Sequence, residues 1–207
     1  MARAQTAPVP TAPVQLRMDR RALVQWMIAA GGMATLERLS VTDLIAIGTG
    51  AHQRSHTRDS GTVALDAHAA LTVTVAAEHI IPASDTPGAT QAGVTVFIDT
   101  MFNGWYPLAD RARFLVGLAD LDTRSRARSS RAFVDSAAPD QLALLQVLDD
   151  EVNGLRAVNA SAANAHWFAM LKFLTVWGYC TSEVAMRDTL NTWPLPMRYD
   201  GNATVAR

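Results

Sequence analysis

His52 and His56 stand four residues apart, a spacing that places two imidazoles on one helix face where they could share a metal ion. Gln53, Arg54 and Ser55 lie between them and supply no glutamate, and two ligands do not complete a zinc site. A solvated loop is the simpler reading. Glu78 and His79 are adjacent and could work as an acid–base pair, but no cleft is located around them. His79 reads more simply as a cation favoured in the last turn of its helix. Asp149, Asp150 and Glu151 could attract a cation, yet fit a solvated helix face. Arg124, Arg126, Arg128 and Arg131 could hold phosphate or acidic lipid; Asp120 and Asp122 dilute them, and an exposed connection between helices accounts for the run.

Gly48-Thr49-Gly50 lacks the third glycine and the preceding strand of a dinucleotide fold, and no Walker loop is present. Cys180 is the single cysteine. Haem attachment through CxxCH, a four-cysteine iron–sulfur cluster and an internal disulfide therefore fall away. A buried free thiol is the default for Cys180, with a disulfide to another subunit as the alternative. No catalytic, cofactor-binding or metal-binding residue is assigned in this chain. The rival enzyme reading is an autonomous helical catalyst using Glu78, His79 and Asp85.

The elements that would position these residues are helices. The chain has 207 residues, 49% of them apolar, with 18 basic and 19 acidic side chains. That balance argues against nucleic acid as the main partner, because phosphate binding needs a basic surface. No run reaches the roughly 18 apolar residues of a membrane-spanning helix. The stretch Asp66–Ile81 carries Leu71, Val75, Ala76 and His79 at helical spacing and is stopped by Pro82. Residues 82–89, with two prolines and a glycine, form a turn. A second helix over Thr90–Asn103 buries Val94, Phe97, Ile98 and Met101, and Gly104 ends it. A third starts with Pro107 in its first turn and runs to about Thr123, with Leu108, Ala112, Leu115 and Leu118 inward. Ser136 and Pro139-Asp140 open a fourth, with Leu142, Leu145, Leu148 and Val152 inward. A last long helix spans about Ala162 to Leu190. No segment alternates as a strand would, so the class is all-α: a small helical bundle with a disordered, signal-like N-terminal segment and an extended C-terminal tail rich in proline and aromatics.

Three regions follow: an N-terminal tail and signal or anchor segment over 1–47, a glycine-containing linker over 48–63, and the helical domain over 64–207 with its extended tail from 192. Residues 1–18 are rich in Ala, Pro and Thr and read as disordered. Arg20 and Arg21 then precede a short apolar run through Leu23, Trp26, Met27 and Ile28. Paired arginines before such a run are the layout of a twin-arginine export signal. An amphipathic helix packed on the domain is the alternative, and an uncleaved segment could lie on a membrane surface.

The strongest positive signal is Trp167–Trp177, where Lys172 and Thr175 are the only polar residues. Such a helix is apolar all round and must be buried all round. It is either the centre of this domain's own core or a face for another subunit, with Trp167, Phe173, Trp177, Tyr179 and Cys180 as interface residues. Trp193, Pro194, Pro196, Met197 and Tyr199 make an extended aromatic tail that either packs back or docks on a partner.

The run Ala77-Glu78-His79-Ile80-Ile81-Pro82-Ala83-Ser84-Asp85-Thr86-Pro87-Gly88-Ala89, then Ala92-Gly93-Val94 and Phe97-Ile98-Asp99, resembles the opening signature of gluconate 2-dehydrogenase subunit 3 proteins. The run Thr175–Val184, then Pro196 and Tyr199-Asp200-Gly201, resembles the closing one. The resemblance implies a small subunit of a membrane-associated FAD-dependent sugar or sugar-acid dehydrogenase complex. Its partner would be a large flavoprotein of the glucose–methanol–choline (GMC) type, often with a c-type cytochrome. FAD would sit in that partner, and the small chain would carry the twin-arginine signal for both. A periplasmic, inner-membrane-associated location is implied, with gluconate, or glucosides oxidised at the 3-position, as substrates of the complex.

Overall fold

A computed structural model describes residues 40–57 and 64–190. Arg20 and Arg21, expected to form an export signal, the rest of the N-terminal tail, and Trp193, Pro194, Pro196, Met197 and Tyr199, expected at a partner interface, lie outside the described residues. Within them are eight α-helices and one 3-10 turn, and no strand.

The first helix, α1 (Val41–Thr57), overturns the linker expected over 48–63 for the part up to 57. Ser40 and Asp43 start it with a reciprocal capping box: Ser40 N donates to Asp43 Oδ2 at 2.9 Å, and Asp43 N to Ser40 Oγ at 3.2 Å. Two glycines inside a helix cost about 1 kcal/mol each relative to alanine. Gly48 is needed for contact, because a Cβ there would meet the Thr181 side chain at 2.6 Å. Close packing between helices outweighs local propensity at that site.

The second helix, α2 (Ala67–Ile80), matches the expected span. Asp66 caps it by accepting from Ala69 N at 2.7 Å. Its inward face is Ala69, Thr72, Val73, Ala76 and Ala77, whereas Leu71 is half exposed. Helix α3 (Val94–Gly104) buries the expected Val94, Phe97, Ile98 and Met101. It begins later than expected because Gly93 takes a left-handed φ of 69° and closes a separate turn first.

Helix α4 (Leu108–Ser129) is longer than expected, so Arg124, Arg126 and Arg128 lie within it rather than in a connection. Its buried stripe is also rotated. Phe114, Gly117, Leu118, Leu121, Asp122 and Ser125 face inward, while Leu108 and Ala112 are exposed. Phe114 anchors the register by packing on Phe102 at 4.7 Å between ring centres. Trp167 presses onto Gly117, where a Cβ would fall 2.1 Å from the indole. A 3-10 turn (Phe133–Asp135) leads to α5 (Ala138–Val158). Leu145, Leu148 and Val152 are inward as expected, joined by Gln141 and Leu144, and Leu142 faces out.

The long last helix is in fact three: α6 (Ala160–Asn164), α7 (Trp167–Cys180) and α8 (Glu183–Asp188). Side chains that bond locally to the backbone make both breaks. His166 Nδ1 accepts from Phe168 N at 3.2 Å, and Ser182 Oγ accepts from Ala185 N at 3.1 Å.

Helix α7 is the axis of the bundle and touches every other α-helix among the described residues. Trp177 and Leu171 are fully buried, and Phe173 and Trp167 are nearly so. Trp177 meets Phe97 edge-on at 5.6 Å between ring centres, and its indole N–H donates to Leu44 O at 2.8 Å. Each such side chain stabilises the fold by about 1.5–3 kcal/mol on burial. Here the two readings of this helix separate. Trp167, Phe173, Trp177 and Tyr179 are enclosed by their own chain, so a docking face built on them would require unpacking the core. Cys180 lies half-buried at the edge of the same helix.

Candidate functional site

The loop joining α2 to α3 is held from several sides. Glu78, in the last turn of α2, turns its carboxylate onto it: Oε1 accepts from Ala83 N at 2.9 Å, and Oε2 accepts from Thr90 N at 2.9 Å and Thr90 Oγ1 at 2.6 Å. Burial alone would push this carboxyl up. The Thr90 and Ala83 bonds, with the neighbouring His79, outweigh burial and leave it below its ordinary value. Ala89 N donates back to Ile81 O at 2.9 Å, closing the loop at its base. Tyr179 of α7 donates its phenol to Pro87 O at 2.7 Å and lies 2.9 Å from Thr189 Oγ1. Gly88 is wedged where a Cβ would meet Glu78 Oε1 at 2.3 Å and Ala83 N at 2.6 Å. The result is a loop with a fixed backbone and an exposed tip, Pro82 to Asp85.

Two histidines of α2 reach the 3-10 turn. His68 Nε2 bonds the Asp122 carboxylate, whose other oxygen accepts from Phe133 N at 2.8 Å. His79 Nε2 bonds Gln141 Oε1 at 2.8 Å, and Gln141 Nε2 donates to Phe133 O at 2.8 Å. Both chains of bonds therefore end on the backbone of Phe133 and bind α2, α4 and α5 together.

The remaining candidates have structural partners too. His52 stacks on Phe97 at 4.9 Å between ring centres, and its Nε2 lies 2.8 Å from Gly178 O. The side chain of His56 lies outside the described residues, and no cluster of three potential metal ligands occurs among those described. Arg124 bridges Asp120 and Glu151, Arg126 approaches Asp122, and Lys172 pairs with Asp149. Thus the acidic run of α5 is met by Arg124 of α4 and Lys172 of α7, and only Asp150 of the acidic three faces fully outward. Asp85 sits exposed at the loop tip, accepting from Ser84 Oγ at 2.9 Å.

Gln141 had no role from sequence, Asp122 entered only as a charge diluting the arginine run, and Tyr179 was expected at a partner interface, whereas the structure places its phenol on Pro87 O. One signal was available for Glu78: a carboxylate just before a proline-bounded loop is placed to accept that loop's free N–H groups. Nothing local in the sequence marks Asp122 or Gln141, because their partners are far along the chain.

The family model described as "Gluconate 2-dehydrogenase subunit 3" matches residues 67–197. Searches of the curated proteins and of the solved structures each found no match. The matched span contains the clasped loop, the Phe133 bolt and the whole of α7. This family is a subunit of a multi-subunit dehydrogenase complex. The chain belongs to the gluconate 2-dehydrogenase subunit 3 family, and through it is a subunit of a gluconate 2-dehydrogenase-type complex.

Proposed function

We propose that the chain is the non-catalytic small subunit of a periplasmic FAD-dependent sugar or sugar-acid dehydrogenase. It steadies a large GMC-type flavoprotein and carries that folded partner outward by the twin-arginine route, through Arg20 and Arg21. The observation that carries the reading is how the chemically capable groups are used. Glu78, His79, Asp122 and Arg124 are each bonded to the fold itself rather than turned toward a common cleft. FAD is assigned to the partner, as the family resemblance implies. The tail residues Trp193, Pro194, Pro196, Met197 and Tyr199 are assigned to the partner contact, with a c-type cytochrome as a further member of the complex. A glucoside 3-dehydrogenase-type complex is the alternative within the same class, since the substrate contacts would lie in the other chain.

Co-expression tests this. The chain should co-purify with a large flavoprotein, and the flavin absorbance should remain with the large chain when the two are separated. Replacing Arg20 and Arg21 by lysine should leave the complex in the cytoplasm. Flavin bound by the small chain alone, or unchanged export of the double variant, would contradict the proposal.

A further inference from the structure

We propose that His166, at the turn between α6 and α7, is a proton-operated catch that holds the start of the core helix while its ring is neutral and releases it in mild acid. The four histidines whose side chains are described divide by what their ring nitrogens meet. His52 meets Gly178 O, His68 the Asp122 carboxylate, and His79 Gln141 Oε1. Each of those partners is an acceptor, so the ring donates, and a second proton on the ring leaves the bond in place. His166 is the reverse case. Its Nδ1 faces the Phe168 N–H at 3.2 Å and must accept, which puts the neutral ring's proton on Nε2. An imidazolium carries N–H on both nitrogens and has no acceptor left, so protonation removes this cap outright. It also sets a positive charge at the N-terminus of a 14-residue helix, the end that disfavours cations.

The surroundings favour the neutral ring. Burial holds His166 below its ordinary value of 6.5; Glu151 of α5 and Asp120 of α4 pull it up, Arg124 of α4 pushes it down, and burial prevails. Arg113 of α4 donates to Ala165 O at 3.2 Å and pairs with Asp110, while Lys172 of α7 pairs with Asp149 of α5. Helix α6 brings no charged residue. A cap that needs the neutral ring adds stability above the ordinary value, and that stability is lost as pH falls through the lower, folded one. The two sides of the turn are held unequally. Trp167 is pressed onto Gly117 and buried in the core. On the other side α6 has five residues, and Asn164 Oδ1 is buried with no hydrogen-bond partner in the protein. An unsatisfied acceptor makes that side the easier one to open. Loss of the cap therefore loosens residues 164–168 and leaves the rest of α7 seated.

The test is NMR on the full-length chain, wild type against His166→Asn. Asparagine caps a helix with a neutral oxygen at every pH. In the wild type, nitrogen shifts of the His166 ring should show the proton on Nε2 at neutral pH. The protection factor of the Phe168 amide, which corrects for the intrinsic exchange rate, should fall about fivefold or more between about pH 7.5 and about pH 5, the usual effect of losing one N-cap bond. The amide of Leu174, in the middle of the helix, should stay protected throughout. In His166→Asn the Phe168 step should vanish. The other four histidines remain in that variant, so any step it keeps belongs to them. Should His166→Asn fail to fold, the wild-type tautomer and the wild-type Phe168 protection decide. A neutral ring with its proton on Nδ1, Phe168 protection that stays level down to about pH 5, or an equal step in a folded His166→Asn would each overturn the proposal.

Discussion

Tyr179 and Pro87 lie 92 positions apart in sequence, and the phenol of one donates to the carbonyl of the other at 2.7 Å. This contact joins the two stretches whose residues resemble the family's opening and closing signatures. It also fixes the α2–α3 loop to the central helix. Tyr179→Phe should cost about 1 kcal/mol, the usual net value of one internal hydrogen bond, and lower the melting temperature by about 2–4 °C for a domain of this size. Thr189→Ala, which leaves the phenol on Pro87, should cost less. Thermal unfolding of the isolated chain reads both, and a Tyr179→Phe variant that melts with the wild type would show that the contact adds nothing.

Two helical glycines should respond oppositely to the same substitution. Gly117 faces the Trp167 indole with no room for a methyl group, whereas Gly154 in α5 has open space around it. Gly117→Ala should destabilise by about 1–3 kcal/mol through overpacking. Gly154→Ala should stabilise by up to about 1 kcal/mol through helix propensity. Denaturant unfolding midpoints measured on the pair should move in opposite directions.

Acid should unfold the chain partly through Asp122. Burial pushes that carboxyl up, but the Phe133 N–H, the His68 bond and charge, and Arg126 outweigh it and hold it below the ordinary value of 3.8. A carboxyl lowered in the folded state adds stability above its unfolded value and loses it as pH falls through the folded one. Asp122→Asn keeps an acceptor for Phe133 N but removes the titration. Its melting temperature should fall less steeply than the wild type's below about pH 4. Parallel acid limbs would show that Asp122 does not contribute to acid unfolding.

Cys180 should be inert in the native chain. Burial pushes its thiol up to about 12, so little thiolate exists at neutral pH. A disulfide-exchange reagent at pH 8 should label it slowly in buffer and fully in denaturant. Complete labelling within the mixing time in buffer would contradict the burial.

The parts legible in sequence were those governed by short-range rules. Val94, Phe97, Ile98 and Met101 repeat at helical spacing and are buried together. Asp66 marks the start of α2, and Pro82 its end. The misreadings fall where a distant partner outweighed local preference. Gly48 and Gly50 looked like a linker until Thr181 and Trp177 were seen against α1. Leu108 and Ala112 looked inward until Phe114 and Trp167 set the rotation of α4. Glu78 and His79 were read as structural rather than catalytic, but their partners Thr90 and Gln141 were not named.

The sequence by itself determined an all-helical chain, an aromatic segment that had to be buried all round, and membership of one family through two separated runs of residues. The first two follow from composition and periodicity, which act over a few turns of helix; the third rests on the resemblance of those runs to the family's signatures. Only the tertiary structure decided what covers the Trp167–Cys180 helix: seven helices of its own chain, with Gly117 of α4 receiving the Trp167 indole and Phe97 of α3 lying over Gly178. The bond from Tyr179 to Pro87, across 92 positions, likewise could not be read along the chain, whereas the Glu78 bonds to Ala83 and Thr90 lie within one short stretch of it.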